Sequence, residues 1–457
     1  MIFVSFEEKE VEVLETSVFG HQRGGASCSV NDIAPASTDS DPVRWRMLAL
    51  LAVAELLGMS LWFAGNAVAP QLQQQWSLTG GQVGWLTTAV QLGFVAGTAT
   101  VAVLNLADIL PSRLLFAVAA LLGAFSNAAL LGASGFAPAV LTRFACGFCL
   151  AGVYPPAMKM ISTWFKARRG LAVGTIVGAL TVGKATPYLV HAFPGVGIAT
   201  VVLAGSASAV AAAAFVWLGY RDGPYPFPPR PFSWSLVATA TQQRRWRLAT
   251  GGYLGHMFEL YSYWTWIPAF LAASAVAHAT RSGTPAGATP SGVLLLAFAT
   301  IAIGGAGCVW GGRVADRIGR ERLVILAMAA SGLCAMLIGF FYGRSFWLLG
   351  PIALAWGFFV IADSAQFSVL VTESVPPHAV GTALMVQTSL GFLLTTLTIQ
   401  LVPPIVALVG WQWGFPLLAL GPFAGIAAIR RLLTLKGRAG ANNIHADSAP
   451  PIPSITT

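Results

Sequence analysis

Residues 311–322 read GGRVADRIGRER, six charged side chains in twelve residues. On both sides the chain turns apolar for about 20 residues, over 292–311 and 323–342. About 20 residues of helix at 1.5 Å each cross about 30 Å of hydrocarbon. The dodecapeptide therefore reads as a turn at a membrane surface, between one span going out and another coming back. The same criterion carried outward finds apolar runs at 47–69, 83–105, 114–133, 137–158, 170–192, 199–219, 249–274, 347–372, 380–401 and 412–430 as well. With the first pair these make twelve. The composition agrees: 56% hydrophobic residues, 9% charged and a mean hydropathy of +0.71 lie outside the soluble range.

Orientation follows from where the cations fall, because cytoplasmic loops retain Lys and Arg. In a twelve-span topology Arg44, Arg46, Arg113, Lys166, Arg168, Arg169, Arg244, Arg245, Arg313, Arg317, Arg320, Arg430 and Lys436 share one side, and the other holds Arg281 and Arg344. Both termini are thus expected in the cytoplasm of a cell whose inner (plasma) membrane holds the protein. The net charge of +9 follows from this topology and asks for no nucleic-acid partner. Residues 1–42 are polar, with Glu7, Glu8, Glu10, Glu12 and Glu15 where a signal peptide would carry lysines. They are expected to be a disordered cytoplasmic tail. Residues 221–247 contain DGPYPFPPRPF, too rich in proline for a helix, and read as a central cytoplasmic linker. It joins a bundle over 43–220 to a second over 248–432, with a polar C-terminal tail over 433–457. Cys146 and Cys149 form a CxxC inside an apolar helix with no second pair, and read as small packing residues.

The two bundles look like copies. ADILPSR at 107–113 answers ADRIGRER at 315–322, and the stretch from Gly147 can be laid on that from Gly357 at an offset of about 210 residues. Duplicated bundles place a central cavity on their pseudo-two-fold axis, the construction of alternating-access transporters. At this point a resemblance emerges. GGRVADRIGRER resembles the signature loop of the major facilitator superfamily, Gly-x-x-x-Asp-Arg-x-Gly-Arg, matched by Gly312, Asp316, Arg317, Gly319 and Arg320. The copy after the second span keeps Asp108 but has Leu104, Pro111 and Ser112 at other motif positions. RFACGFCLAG, from Arg143, is similar to the fourth-helix pattern of that family, and residues 151–181 are loosely similar to bacterial nitrate/nitrite and cyanate-type anion porters. The resemblance covers 44–432. It implies an all-α membrane protein of twelve transmembrane helices in two pseudo-symmetric six-helix bundles, with spans 1, 4, 7 and 10 lining the cavity.

Asp316 can accept from backbone donors at a helix N-terminus, and Arg317 and Arg320 can reach Glu373 at the end of span 10. With Asp108, Gly312 and Gly319 these residues are expected to latch the cytoplasmic side; a plain solvated turn is the other reading. Glycines at 93, 97, 170, 174, 178, 304 and 305 allow close helix approach.

Charges within the spans cost about 2.5–3.5 kcal/mol each on insertion scales, so each asks for a role. Glu55 and Glu259 fall near the midplane, Arg143 and Lys184 at one level in the outer half, and Asp363 in the inner half. Helical steps of three and four put His256, Glu259, Tyr263 and Trp266 on one face. Glu55 is likewise aligned with Trp62 and Asn66, and Asp363 with Gln366. Two cations at one depth suit an anion between them. Arg143, Lys184, Asn66, Trp62, Tyr263, Trp266 and Gln366 are therefore expected to bind substrate, and Glu259, Glu55, Asp363 and His256 to carry a proton. Structural pairing is the competing reading for Glu259 and for the two cations.

Neither a Walker A motif, nor a Ser-His-Asp order, nor metal-ligand spacing occurs, which disfavours ATP-driven pumping and catalysis, and no cofactor or metal is expected. The expected protein is a monomeric, proton-linked secondary transporter of a small anionic or carboxylated solute. The alternative is a proton-antiport efflux pump for drug-like or uncharged metabolites, walled by Trp62, Trp264, Trp266 and Trp356.

Overall fold

The computed structural model describes residues 42–166, 168–226, 233–283 and 290–447. The tail expected over 1–42 (except Pro42), the proline-rich centre of the linker and the last ten residues lie outside the described residues. Among the described residues all regular structure is helical. The α-helices are α1 (Val43–Met59), α2 (Ala64–Ala67), α3 (Ala69–Trp76), α4 (Gly80–Val103), α5 (Leu106–Ile109), α6 (Ser112–Ala128), α7 (Phe136–Leu150), α8 (Tyr154–Ser162), α9 (Arg169–His191) and α10 (Ile198–Gly219). After the linker come α11 (Trp234–Gln242), α12 (Arg244–Ser282), α13 (Pro290–Ala302), α14 (Gly304–Ile318), α15 (Arg320–Leu337), α16 (Phe346–Ala362), α17 (Ser364–Thr372), α18 (Val380–Val409) and α19 (Leu420–Asp447).

Ten helical stretches among the described residues are long and apolar enough to cross a membrane, where the hydropathy pattern leads one to expect twelve. The two that fall short have physical reasons. α1 leaves the helix after Met59, and α12 dilutes its apolar residues with His256 and Glu259 and, beyond them, with Tyr261, Ser262, Tyr263, Trp264, Thr265 and Trp266. Span 4 is also broken, between α7 and α8, because Pro155 and Pro156 supply no backbone donors and are tolerated only in the first turn of a new helix. Span 10 breaks at Asp363 between α16 and α17. The linker is not helix-free: its prolines end at Pro231, and residues 234–242, which contain none, form α11. The final helix likewise continues through Asp447, past the expected start of the polar tail.

Backbones touch where glycine removes the side chain. A Cβ on Gly93 would lie 2.0 Å from the Phe144 carbonyl and one on Gly147 2.1 Å from that of Val90, so α4 and α7 are packed backbone to backbone. Gly319 takes φ +91°, a left-handed value that favours glycine, at the sharp turn between α14 and α15. Apolar side chains such as Leu218, Trp347 and Leu408 point outward, the surface that lipid requires.

The helices before the linker meet those after it along two seams, α4 against α18 and α9 against α13 and α14. In the second, a Cβ on Gly178 would lie 3.0 Å from the Gly305 carbonyl. In the first, the Gln400 amide reaches across from α18: in the orientation that satisfies both ends it donates to the Gly81 carbonyl at 3.2 Å and accepts from Thr88 Oγ1 at 3.0 Å. These residues lie at the end of the molecule away from the cation-rich turns.

Candidate functional site

Between the seams, a cavity is lined from the N-terminal helices by Met59, Trp62, Phe94, Tyr154 and Lys184, and from the C-terminal helices by Tyr253, Tyr261, Trp264, Ser364, Thr388 and Phe392. Its volume is about 40 Å³. An aromatic seam closes over it: Phe94 and Phe392 rings are 4.7 Å apart, Trp62 and Tyr261 5.8 Å, Phe63 and Trp264 6.2 Å.

Lys184 is the cation of this cavity. Its ammonium donates to the Tyr261 hydroxyl at 2.5 Å and lies 4.0 Å from the Trp62 ring centre, with Trp264 at 5.2 Å. Ring faces solvate an ammonium, so the charge is held by rings and a hydroxyl, with no carboxylate in direct contact among the described residues, and retains capacity for one. Of the substrate-binding residues expected from the sequence, Lys184 and Trp62 line this cavity.

Arg143 is outside this lining, and both terminal nitrogens of its guanidinium are engaged by the protein. Nη2 donates to the Leu61 and Trp62 carbonyls at 2.9 and 2.5 Å, and Nη1 to Asn127 Oδ1 at 3.0 Å. Where α1 breaks, carbonyls lose their helical donors, and Arg143 supplies replacements. Asn127 in turn donates to the Val202 carbonyl and to Ser206, tying α6, α7 and α10 to the break. The structure therefore does not bring Arg143 and Lys184 to one anion. Asn66 is buried against Thr87, and Gln366 is buried in the first turn of α17.

The polar face of α12 divides among neighbouring helices. Glu259 accepts from Trp356 Nε1 and Ser331 Oγ, both at 2.8 Å. Tyr263 donates to the Ala353 carbonyl at 3.1 Å and packs a tilted ring against Trp356, and Trp266 donates to the Ile399 carbonyl at 2.9 Å. None of the three lines the cavity. His256 Nδ1 approaches Asp363 Oδ1 to 2.9 Å at the α16–α17 break, with both side chains buried. Glu55 is fully buried on α1, and among the described residues neither of its oxygens meets a hydrogen-bond donor.

At the cation-rich end, Arg320 contacts Glu373, and Lys436 of α19 bonds both Glu373 Oε2 at 2.9 Å and Glu321 Oε1 at 2.7 Å. All four residues come after the linker, so this network ties α15, α17 and α19 to one another and does not join the N- and C-terminal helices. Asp316 and Arg317 are exposed, and Gly312 has no neighbour within 4 Å of an added Cβ. Asp108 pairs with Lys159 at 3.1 Å. Lys159, Lys436, Asn127, Ser331 and Gln400 were not foreseen; each acts through a partner on another helix, which periodicity along one helix does not register.

A profile of the Major Facilitator Superfamily matches residues 50–399. The chain belongs to the major facilitator superfamily. This superfamily member is a multi-pass membrane protein of a transporter family. It is similar to a galacturonate transporter of Dickeya chrysanthemi, with 30% identity over 155 residues, 32% of this chain. That match spans 43% of the relative's length. Its fold is like that of a bacterial homologue of the human lysosomal transporter Spinster, solved in an inward-facing, unoccupied conformation. The TM-score is 0.62 at 15% identity, over 86% of this chain and 96% of the other.

Proposed function

We propose that this superfamily member is a proton-linked secondary transporter of a small carboxylated solute of the sugar-acid kind, working by alternating access. The observation that carries the reading is the Lys184 ammonium, held by rings and one hydroxyl at a cavity shared by helices from both sides of the linker. A lone cation suits one carboxylate. Aromatic faces suit the apolar face of a sugar ring, and the hydroxyls of Tyr154, Tyr253, Ser364 and Thr388 suit its hydroxyl groups. The partial match to a galacturonate transporter points to the same solute class. The cavity is small, about 40 Å³, and in this reading it widens to load.

The reading includes the topology set out above: twelve spans as two six-helix bundles over 43–220 and 248–432, a cytoplasmic linker, both termini in the cytoplasm, and a monomer in the inner membrane. Proteoliposomes test it. With acid outside, labelled D-galacturonate should accumulate and neutral galactose should not, and Lys184→Met should abolish accumulation. Equal uptake of both sugars, or full activity in Lys184→Met, would sink the proposal. The aromatic wall of Trp62, Phe94, Trp264 and Phe392 favours the efflux reading as the second choice. Proton-driven dye export without galacturonate uptake would select it.

A further inference from the structure

We infer that Glu55 is the proton-taking partner of Lys184: a substrate carboxylate claims the lysine, and Glu55 then takes up one proton for each monoanion bound. The inference rests on the reading of Lys184 as the anion-holding cation.

Three carboxylates lie at membrane depth, and their surroundings differ. Glu259 has a donor on each oxygen, and Asp363 has His256. Glu55 has no hydrogen-bond donor at all among the described residues, although it is fully buried. A buried acid left without donors is poorly stabilised as an anion, so its charge depends on the nearest cation. That cation is Lys184, whose field reaches Glu55 from α9. The two helices touch beside them: a Cβ on Gly183 would sit 2.2 Å from the Leu56 carbonyl, and Glu55 and Lys184 are the residues adjoining that contact. Glu55 also lies four residues before Met59, which lines the cavity, a spacing that aligns the two along α1.

The other titratable groups around Glu55 leave it this role. From α8, Tyr154 lines the same cavity, while Lys159 is committed to Asp108 and the Ala107 carbonyl. α10 carries no titratable residue. Across the cavity stand Tyr253 and Tyr261, and behind them the His256–Asp363 pair, in which each member already has an ionisable partner.

Charge arithmetic supplies the coupling. Without substrate, ammonium and carboxylate sum to zero. A bound monoanion makes the enclosed sum minus one, which a membrane interior resists. A proton on Glu55 returns it to zero, so anion and proton favour each other's binding by the same factor. Transport of a monoanion is then one-to-one with protons and electroneutral.

The test uses the purified full chain in detergent, with D-galacturonate, an acid ionised throughout the neutral range, as the probe. Calorimetry in buffers of different ionisation enthalpy counts protons. The wild type should take up about one proton per anion, with affinity rising toward tenfold per unit fall in pH. Glu55→Gln should bind with neither proton uptake nor pH slope, whereas Asp363→Asn and Glu259→Gln should keep the wild-type slope. Glu55→Asp, which retains the acid, should keep the proton uptake and move the pH at which the slope begins. Wild-type binding without proton uptake, a slope retained in Glu55→Gln, a slope unmoved in Glu55→Asp, or a slope lost in Asp363→Asn would overturn the inference while leaving the anion site standing. No binding of the probe by wild-type protein would remove the site reading and this inference together.

Discussion

Arg143 offers a sharp test, because its three hydrogen bonds end on groups that an anion site would not need. Arg143→Lys keeps the charge but replaces a planar fork with one point. The acceptors diverge: Asn127 belongs to α6, while the Leu61 and Trp62 carbonyls belong to the α1 break. A lysine serves one side and leaves at least one charge-assisted bond unmade, a cost of about 1.5–3 kcal/mol. In a cooperative unit of about 200 residues, each kcal/mol lowers Tm by about 2 °C, so the drop should be about 3–6 °C. Arg143→Ala abandons all the acceptors and should yield little folded protein. Thermal unfolding in detergent followed by a thiol-reactive dye reads the first variant, and monodispersity on size exclusion reads the second. An Arg143→Lys protein with unchanged Tm and weakened galacturonate binding would refute this assignment and return Arg143 to the substrate.

Two further outcomes follow from contacts between helices. Gln400→Leu removes the bonds to Gly81 and Thr88, worth about 0.5–1.5 kcal/mol each. Amide exchange over residues 80–88 should therefore speed up roughly five- to a hundredfold by mass spectrometry, and unchanged exchange would show that Gln400 does not hold this end closed. Glu373→Gln breaks exposed contacts with Arg320 and Lys436, so stability should fall by under about 1 kcal/mol per pair in low salt, read as a small drop in Tm, and hardly at all in high salt. A large loss of transport in high salt would instead favour the latch expected from the signature loop.

What was legible in the sequence was whatever depends on neighbours along the chain. Apolar run length anticipated the ten helical stretches that are long and apolar enough to cross a membrane, and the turn at 311–322 pointed to the family. Lys184 and Trp62 were found because an ammonium at membrane depth is conspicuous in any register. Helix breaks were less legible, since Ser60–Phe63 is apolar enough to read as continuous helix and is interrupted only because Arg143, about 80 residues on, accommodates the freed carbonyls. The face of α12 was read correctly as a face, but which helix it meets depends on three-dimensional packing. Glu259 meets Ser331 and Trp356, 72 and 97 residues away, and one-dimensional periodicity has no access to that choice.

Lys184 resting on indole has an optical consequence. An ammonium 4.0 Å from the Trp62 ring centre perturbs the excited state of that ring, whose emission is sensitive to nearby charge. If a carboxylate draws the ammonium aside, the indole emission changes as the site fills. The protein thus carries its own unlabelled reporter of occupancy, one that Trp62→Phe would silence, and solutes could be screened by fluorescence titration before any is shown to cross a membrane.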